Sequence, residues 1–318
     1  MRFTGEMVSD YITTLIMSMK SKNKRFLIVL ILTLSGLLIF IWQAKRNSHD
    51  DQPKSNQNLQ IHAERRDQFS DEYNQKLNGL RSTSQQKPPR AISWSSPLSK
   101  QCSNIDQRLK KNLNHRQERL ATERNNVVID ASNYGKRYRL DLYGRRINPS
   151  PSVVILHETT DSYHSALYTF KDYHHKDEDQ VSYHTLITLD GQIIDVVDPI
   201  NRAYGAGNSA FLGEWVVTNP RFKGSVNNFA LHVSLETPWD GRNGYLNHSG
   251  YSDNQYDSLA LVLADWMDRF NIPPENITTH QHVDLAGERS DPRSFDWSYL
   301  QRRLAAIGYL CLSRNPSD

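Results

Sequence analysis

An excess of either charge is missing from this sequence. The formal net charge is only +3, too small a field to argue for nucleic acid as the partner. Apolar residues are also scarce. They make up 37% of the chain, below the share usual for a globular domain, and the mean hydropathy is −0.66. The deficit falls mainly after residue 42, so part of the chain lacks the side chains to build a core. No internal repeat is visible. Length is not limiting, since 318 residues suffice for one sizeable domain with additions or for two small ones.

Against that polar background one run stands out. Phe26 to Trp42 reads FLIVLILTLSGLLIFIW without a charge, short for a bilayer span but ended by a tryptophan suited to the interface. Lys20, Lys22, Lys24 and Arg25 precede it, and Lys45 and Arg46 follow. This bias keeps the N-terminus in the cytoplasm and sends the rest of the chain outward. A cleaved signal peptide has the same export outcome, but the run is long for one and QAKRN offers no small-residue cleavage site. A buried core helix would leave an all-apolar surface between two charge clusters. The expected order is a cytoplasmic segment 1–25, a single-pass transmembrane anchor 26–42, and the remainder outside the cytoplasm, on the periplasmic or cell-envelope side.

From 43 to 126, stretches such as SNQNLQ, RSTSQQKPPR and WSSPLSK read as a polar, largely disordered linker. Within it Ile105, Leu109, Leu113 and Leu120 approach helical spacing, a stripe so thin that the helix needs a partner surface. The texture changes at Val127. VVID, YRLDLY and SVVILHET are rich in β-formers, and YHTLIT and QIIDVV flank Asp190–Gly191 as a hairpin. FALHVSLE predicts another strand. Ser252, Asp253, Asn254 and Gln255 form a capping box opening a helix with the apolar face Tyr256, Leu259, Ala260, Leu263, Met267 and Phe270, stopped by Pro273 and Pro274. A strand-like ITTH, a loop and a last helix from about Phe295 to Ala306 follow. The whole predicts an α/β domain over 127–318, a mixed central β-sheet flanked by helices.

Of the twelve histidines, two stand out by position. His157 ends the apolar strand VVIL and His280 ends ITT, with Asp291 on the loop that follows. Two histidines and one carboxylate can hold a tetrahedral Zn²⁺ and leave its fourth position for water, as catalytic sites do. Hydrogen-bonded surface histidines fit the same spacing. His184 and His232, placed mid-strand, read either as donors to a ligand or carboxylate or as packed side chains. His282 and the pair His174–His175 read as loop residues, and Asp296 and Trp297 as the cap and packing of the last helix.

In order along the chain, VVILHET, VSYHTLITLDGQIIDVVD, NRAYGAGNS, NNFALHVSLE and THQHVDLAGERSDPRSFDW resemble the successive blocks of the zinc-dependent N-acetylmuramoyl-L-alanine amidases of type 2. That domain is shared with peptidoglycan-recognition proteins and phage lysozyme-like amidases. Each block alone is weak, whereas five in the right order are specific. The resemblance implies that His157, His280 and Asp291 bind one Zn²⁺, the residues already singled out by placement. It implies hydrolysis of the amide between N-acetylmuramic acid and L-alanine, for cell-wall remodelling or recycling, with peptidoglycan or muropeptides as partner. Bound zinc would polarise the amide carbonyl and lower the pKa of a water. The oxyanion then needs donors and the departing amine a proton. Tyr183 stands where some relatives have a catalytic tyrosine, and Arg289 where the family often has lysine. Trp215, Trp239 and Tyr245 are candidates to stack on sugar rings, with core or rim packing as the alternative.

The departures from the family pattern matter. Gly205 replaces the usual histidine of its block. Ser234 stands where some members carry a catalytic glutamate, and Glu236 substitutes only if the strand end bends inward. Arg289 keeps the charge of lysine but is a poor proton donor. The general acid stays open, with Tyr183, Arg289 and Glu236 as catalytic candidates. The alternative is a non-catalytic muropeptide-binding module of the same fold. Cys102 and Cys311, the only cysteines, lie outside the blocks. In an exported chain they favour pairing, within the chain or between two chains.

Overall fold

The computed structural model describes residues 93–242 and 244–311. Residues 1–25, the apolar run 26–42 and the linker up to residue 92 lie outside the described residues. Among the described residues, no helix is long and apolar enough to cross a membrane. Helix α1 (Gln107–Glu118) opens on the Asp106 carboxylate, which accepts from the Arg108 and Leu109 amides. In chain order there follow α2 (Leu120–Glu123), β1 (Arg124–Asn126), β2 (Tyr134–Lys136), β3 (Val153–Glu158) and α3 (Tyr163–Lys171). Next come β4 (Thr185–Ile187), β5 (Ile193–Asp195), β6 (Asn201–Ala203) and β7 (Ala230–Leu235). The chain closes with α4 (Asp253–Phe270), β8 (Ile277–Thr279), α5 (His280–Val283) and α6 (Trp297–Ala306).

Six strands form one mixed sheet in the order β1-β5-β4-β7-β3-β8. The hairpin β4–β5 is antiparallel and the other neighbours run parallel, so the expected mixed sheet flanked by helices is what forms. Strands β3 and β7 are buried along their length because both faces are covered. Alternate side chains part. Val154, Leu156, Leu231, Val233 and Leu235 pack with Leu259, Leu263 and Trp266 of α4 and Leu300 and Leu304 of α6. Val153, Ile155 and Ala230 meet Phe211, Val216, Val226 and Val283 instead. His157, His232 and Ser234 share the parity of this second set and therefore its face. The Ser252–Gln255 capping box forms as expected, and α4 ends at Asn271 in the left-handed region, φ 53°.

Three expectations need correction. Residues 93–126 are not tether. Leu113 is fully buried against Leu261 of α4 and Ala306 of α6, with Ile105, Leu109 and Leu120 packed around it. The thin stripe suffices because those helices supply the missing surface, and β1 adds an edge strand beside β5. VVID is no strand: pairing ends at Asn126, Val128 is exposed, and the Asp130 carboxylate caps a 3₁₀ turn over Ala131–Asn133. YRLDLY fails likewise, because the Asp141 carboxylate accepts from the Tyr143 and Arg145 amides and turns the chain. Cys102 and Cys311 do pair, within the chain, tying the segment before α1 to the turn after α6.

Candidate metal centre

Strand β3 delivers His157 on the face opposite α4. Its Nδ1 lies 3.0 Å from Asp291 Oδ2. His280 begins α5 directly after β8, where the Thr279 hydroxyl caps that helix by accepting from the His282 amide. The Nδ1 of His280 lies 3.0 Å from Asp291 Oδ1 and 3.1 Å from Oδ2. The loop returning Asp291 is wound around Asp284, whose carboxylate accepts from the Ala286, Glu288 and Arg289 amides. Asp291 is then pinned by its own carbonyl, which accepts the Gln281 amide at 3.0 Å. One ligand atom from each of His157, His280 and Asp291 falls within 4.8 Å of the others. Two imidazole nitrogens and one carboxylate on a common point are a donor set that a zinc ion takes, so the residues fit.

The electrostatics agree. Burial pulls His157 down to about 4, against the opposing hydrogen bond to Asp291, so the ring is neutral at pH 7 as a ligand must be. Burial raises the Asp291 carboxyl, but the hydrogen bonds with His157 and His280 outweigh it and hold the group well below the usual carboxylate range. Tyr183 stacks on His157 with ring centroids 4.5 Å apart and meets Phe170 edge-on. Burial, then the Asp291 charge, pushes its hydroxyl above the ordinary phenol value, which keeps it a donor. Arg289 is exposed on the loop, yet its charge lowers both His157 and Tyr183.

Residues 147–294 match the family model described as N-acetylmuramoyl-L-alanine amidase. Over this segment the chain is similar to that family. The 1,6-anhydro-N-acetylmuramyl-L-alanine amidase AmpD of Citrobacter freundii is 32% identical over 121 residues, 37% of this chain and 54% of that protein. The N-acetylmuramoyl-L-alanine amidase AmiD of Escherichia coli (strain K12) is 26% identical over 165 residues, 49% of this chain and 54% of that protein. The chain thus spans about half the length of the curated relatives it matches. The crystal structure of a selenomethionine AmpD derivative superposes on 56% of this chain and 92% of its own, at 24% identity and a TM-score of 0.41.

Within this domain the other expected residues fare differently. Glu236 does not reach the centre. It follows the end of β7, and its Oε1 accepts from Arg242 at 2.8 Å and from the Tyr163 amide at 3.2 Å. Its Oε2 accepts from the Leu189 amide at 2.9 Å, so the carboxylate is committed to tying loops together. Ser234 is buried, and its hydroxyl has no partner among the described residues. His282 leaves the cleft and packs on Trp94, centroids 4.4 Å apart. His174 anchors a loop through Asn133 Oδ1 at 2.7 Å. Trp215 packs tightly on Gly224, whereas Trp239 and Tyr245 are exposed, with the Arg242 guanidinium 3.9 Å over the Trp239 ring.

Two further groups border the centre. Tyr183 and His184 are neighbours in sequence just before β4. Tyr183 stacks on His157, whereas the His184 ring is engaged by the His232 amide, Arg137 and the Asn201 carbonyl and meets Trp266 edge-on. The His184 ring lies parallel to His232, centroids 5.7 Å apart. Glu158 was passed over in the sequence. Its buried carboxylate accepts from Tyr251 at 3.0 Å, meets His248 Nε2 at 3.1 Å and pairs with Arg293. Two polar residues, His157 and Glu158, closing an otherwise apolar strand were the available signal.

Proposed function

We propose that this chain is a zinc-dependent amidase that hydrolyses the bond between N-acetylmuramic acid and L-alanine in peptidoglycan or its muropeptides. The observation that carries the reading is the convergence of His157 Nδ1, His280 Nδ1 and the Asp291 carboxylate in a segment similar to the amidase family. The names of AmpD and AmiD point to the same bond. His157, His280 and Asp291 would hold Zn²⁺, which when bound supplies a Lewis acid for the amide carbonyl and acidifies a water. Tyr183, kept protonated by burial, donates to the developing oxyanion. Arg289 adds positive charge beside it from the loop that carries Asp291, without serving as proton donor.

The apolar run 26–42 and its basic flank support a single-pass anchor with the amidase domain outside the cytoplasm. The intramolecular disulfide supports the same compartment. Protease applied to spheroplasts should remove the domain, and full protection would refute this topology. A second reading, muropeptide binding without hydrolysis, is favoured by one observation: the Glu236 carboxylate is engaged by Arg242 and the Leu189 amide. Mass spectrometry of peptidoglycan treated with the detergent-solubilised full chain, with and without a chelator, separates the two. Chelator-sensitive release of stem peptides supports the amidase. Retention of all peptides on glycan by metal-loaded protein supports the binding module.

A further inference from the structure

His232 is fully buried, and its ring is pressed onto the backbone of Gly205. A Cβ placed on Gly205 would fall 2.5 Å from His232 Nδ1 and 2.6 Å from its Cγ. No side chain beyond hydrogen can sit at 205 while that imidazole is there. The backbone of 232 is fixed as well: its amide donates to His184 Nδ1 at 2.9 Å, and its carbonyl accepts the His184 amide at 2.9 Å.

The ring meets the metal centre at one atom. His157 and His280 both turn Nδ1 onto the Asp291 carboxylate, so Nδ1 is the nitrogen each offers to a metal. A histidine that ligates through Nδ1 carries its proton on Nε2. The Nε2 of His157 lies 3.0 Å from His232 Nδ1, and no other hydrogen-bond partner for it is found among the described residues. His232 lies outside the group of residues that could hold the ion, so its contact is with the ligand. A hydrogen-bond acceptor behind a ligating imidazole fixes its tautomer and ring orientation and strengthens it as a donor to the metal.

We infer that His232 is a positioning residue that accepts the Nε2 proton of His157, its imidazole filling the space over Gly205. The inference rests on the metal-site reading above, and the unmodified chain controls for it. The experiment measures Zn²⁺ affinity by competition with a chromophoric chelator, using the full chain in detergent, alongside thermal melts of the metal-free proteins. His232→Leu should weaken Zn²⁺ binding about 10–100-fold. His232→Asn, whose Oδ1 can accept in place of Nδ1, should recover most of the loss. Gly205→His alone should bind poorly because the two rings collide. Joined with His232→Gly, it should bind more tightly than His232→Gly alone. Equal affinity of the parent and His232→Leu overturns the inference. So does His232→Asn binding no better than His232→Leu at a similar metal-free melting temperature, because packing alone would then explain the residue. Failure of the parent itself to bind Zn²⁺ would sink the metal site rather than the role of His232.

Discussion

Glu158 and Arg293 form a buried ion pair. Glu158 follows His157 directly, and Arg293 lies two residues beyond Asp291. The pair therefore locks the end of β3 to the loop that returns the carboxylate ligand. The Arg293 guanidinium also donates to the Gly241 and Tyr245 carbonyls, drawing the 241–251 segment to the same point. Removing one member leaves a buried charge without its partner. Glu158→Ala should lower stability by about 3–5 kcal/mol, measured by urea unfolding; a loss below about 1 kcal/mol would mean that the pair is solvated.

The disulfide should stabilise through the long loop that it closes. Cys102 and Cys311 are separated by 209 residues, and loops of that order give about 2–5 kcal/mol. Cys102→Ser, Cys311→Ser or reduction should each lower the unfolding midpoint, with similar size. Non-reducing peptide mass spectrometry of protein from the cell envelope should show the 102–311 linkage, and two free thiols would contradict it.

Acid should weaken the metal-free protein. His157 titrates at about 4 when folded against 6.5 for a free imidazole, with burial as the cause. Burial also holds His184 and His232 well below the ordinary value. Between pH 6.5 and 4 the unfolded chain therefore binds protons that the folded chain refuses. Each such histidine removes up to about 1.4 kcal/mol per pH unit as the pH falls through that window. Stability is fully present above 6.5. Urea unfolding in chelator at pH 7.5 and pH 5 should show the loss, and equal stabilities would mean that these rings protonate in place.

Tyr183→Phe and Arg289→Ala should separate transition-state donors from metal ligands. Each should reduce kcat about 10²–10³-fold if it supplies a preorganised donor, while zinc content stays at the parental level. Near-normal turnover in both, with zinc intact, would show that the catalytic donors lie elsewhere.

Much of this was legible in the chain itself. His157, His280 and Asp291 follow strands that periodicity marks, and Asp190–Gly191 and the Ser252 box fix the hairpin and α4 through local hydrogen bonds. What was hidden depends on distant partners. The stripe of Ile105, Leu109 and Leu113 is too thin to predict order until Leu261 and Ala306 are known to face it. The Glu236 carboxylate turns away because Arg242 and two amides beyond the strand capture it. His232 looked like a mid-strand histidine of no fixed role, since its meaning lies in the contact with Gly205, a neighbour only in space.

The most direct test of the central claim uses a defined muropeptide, N-acetylmuramic acid bearing an L-alanine-headed stem peptide, followed over time by mass spectrometry. The zinc-loaded full chain should yield two products, the free stem peptide with L-alanine at its amino terminus and the peptide-free sugar. His280→Ala or excess chelator should abolish both. Intact substrate with zinc-loaded parent protein, or undiminished cleavage by metal-free His280→Ala, would contradict the account.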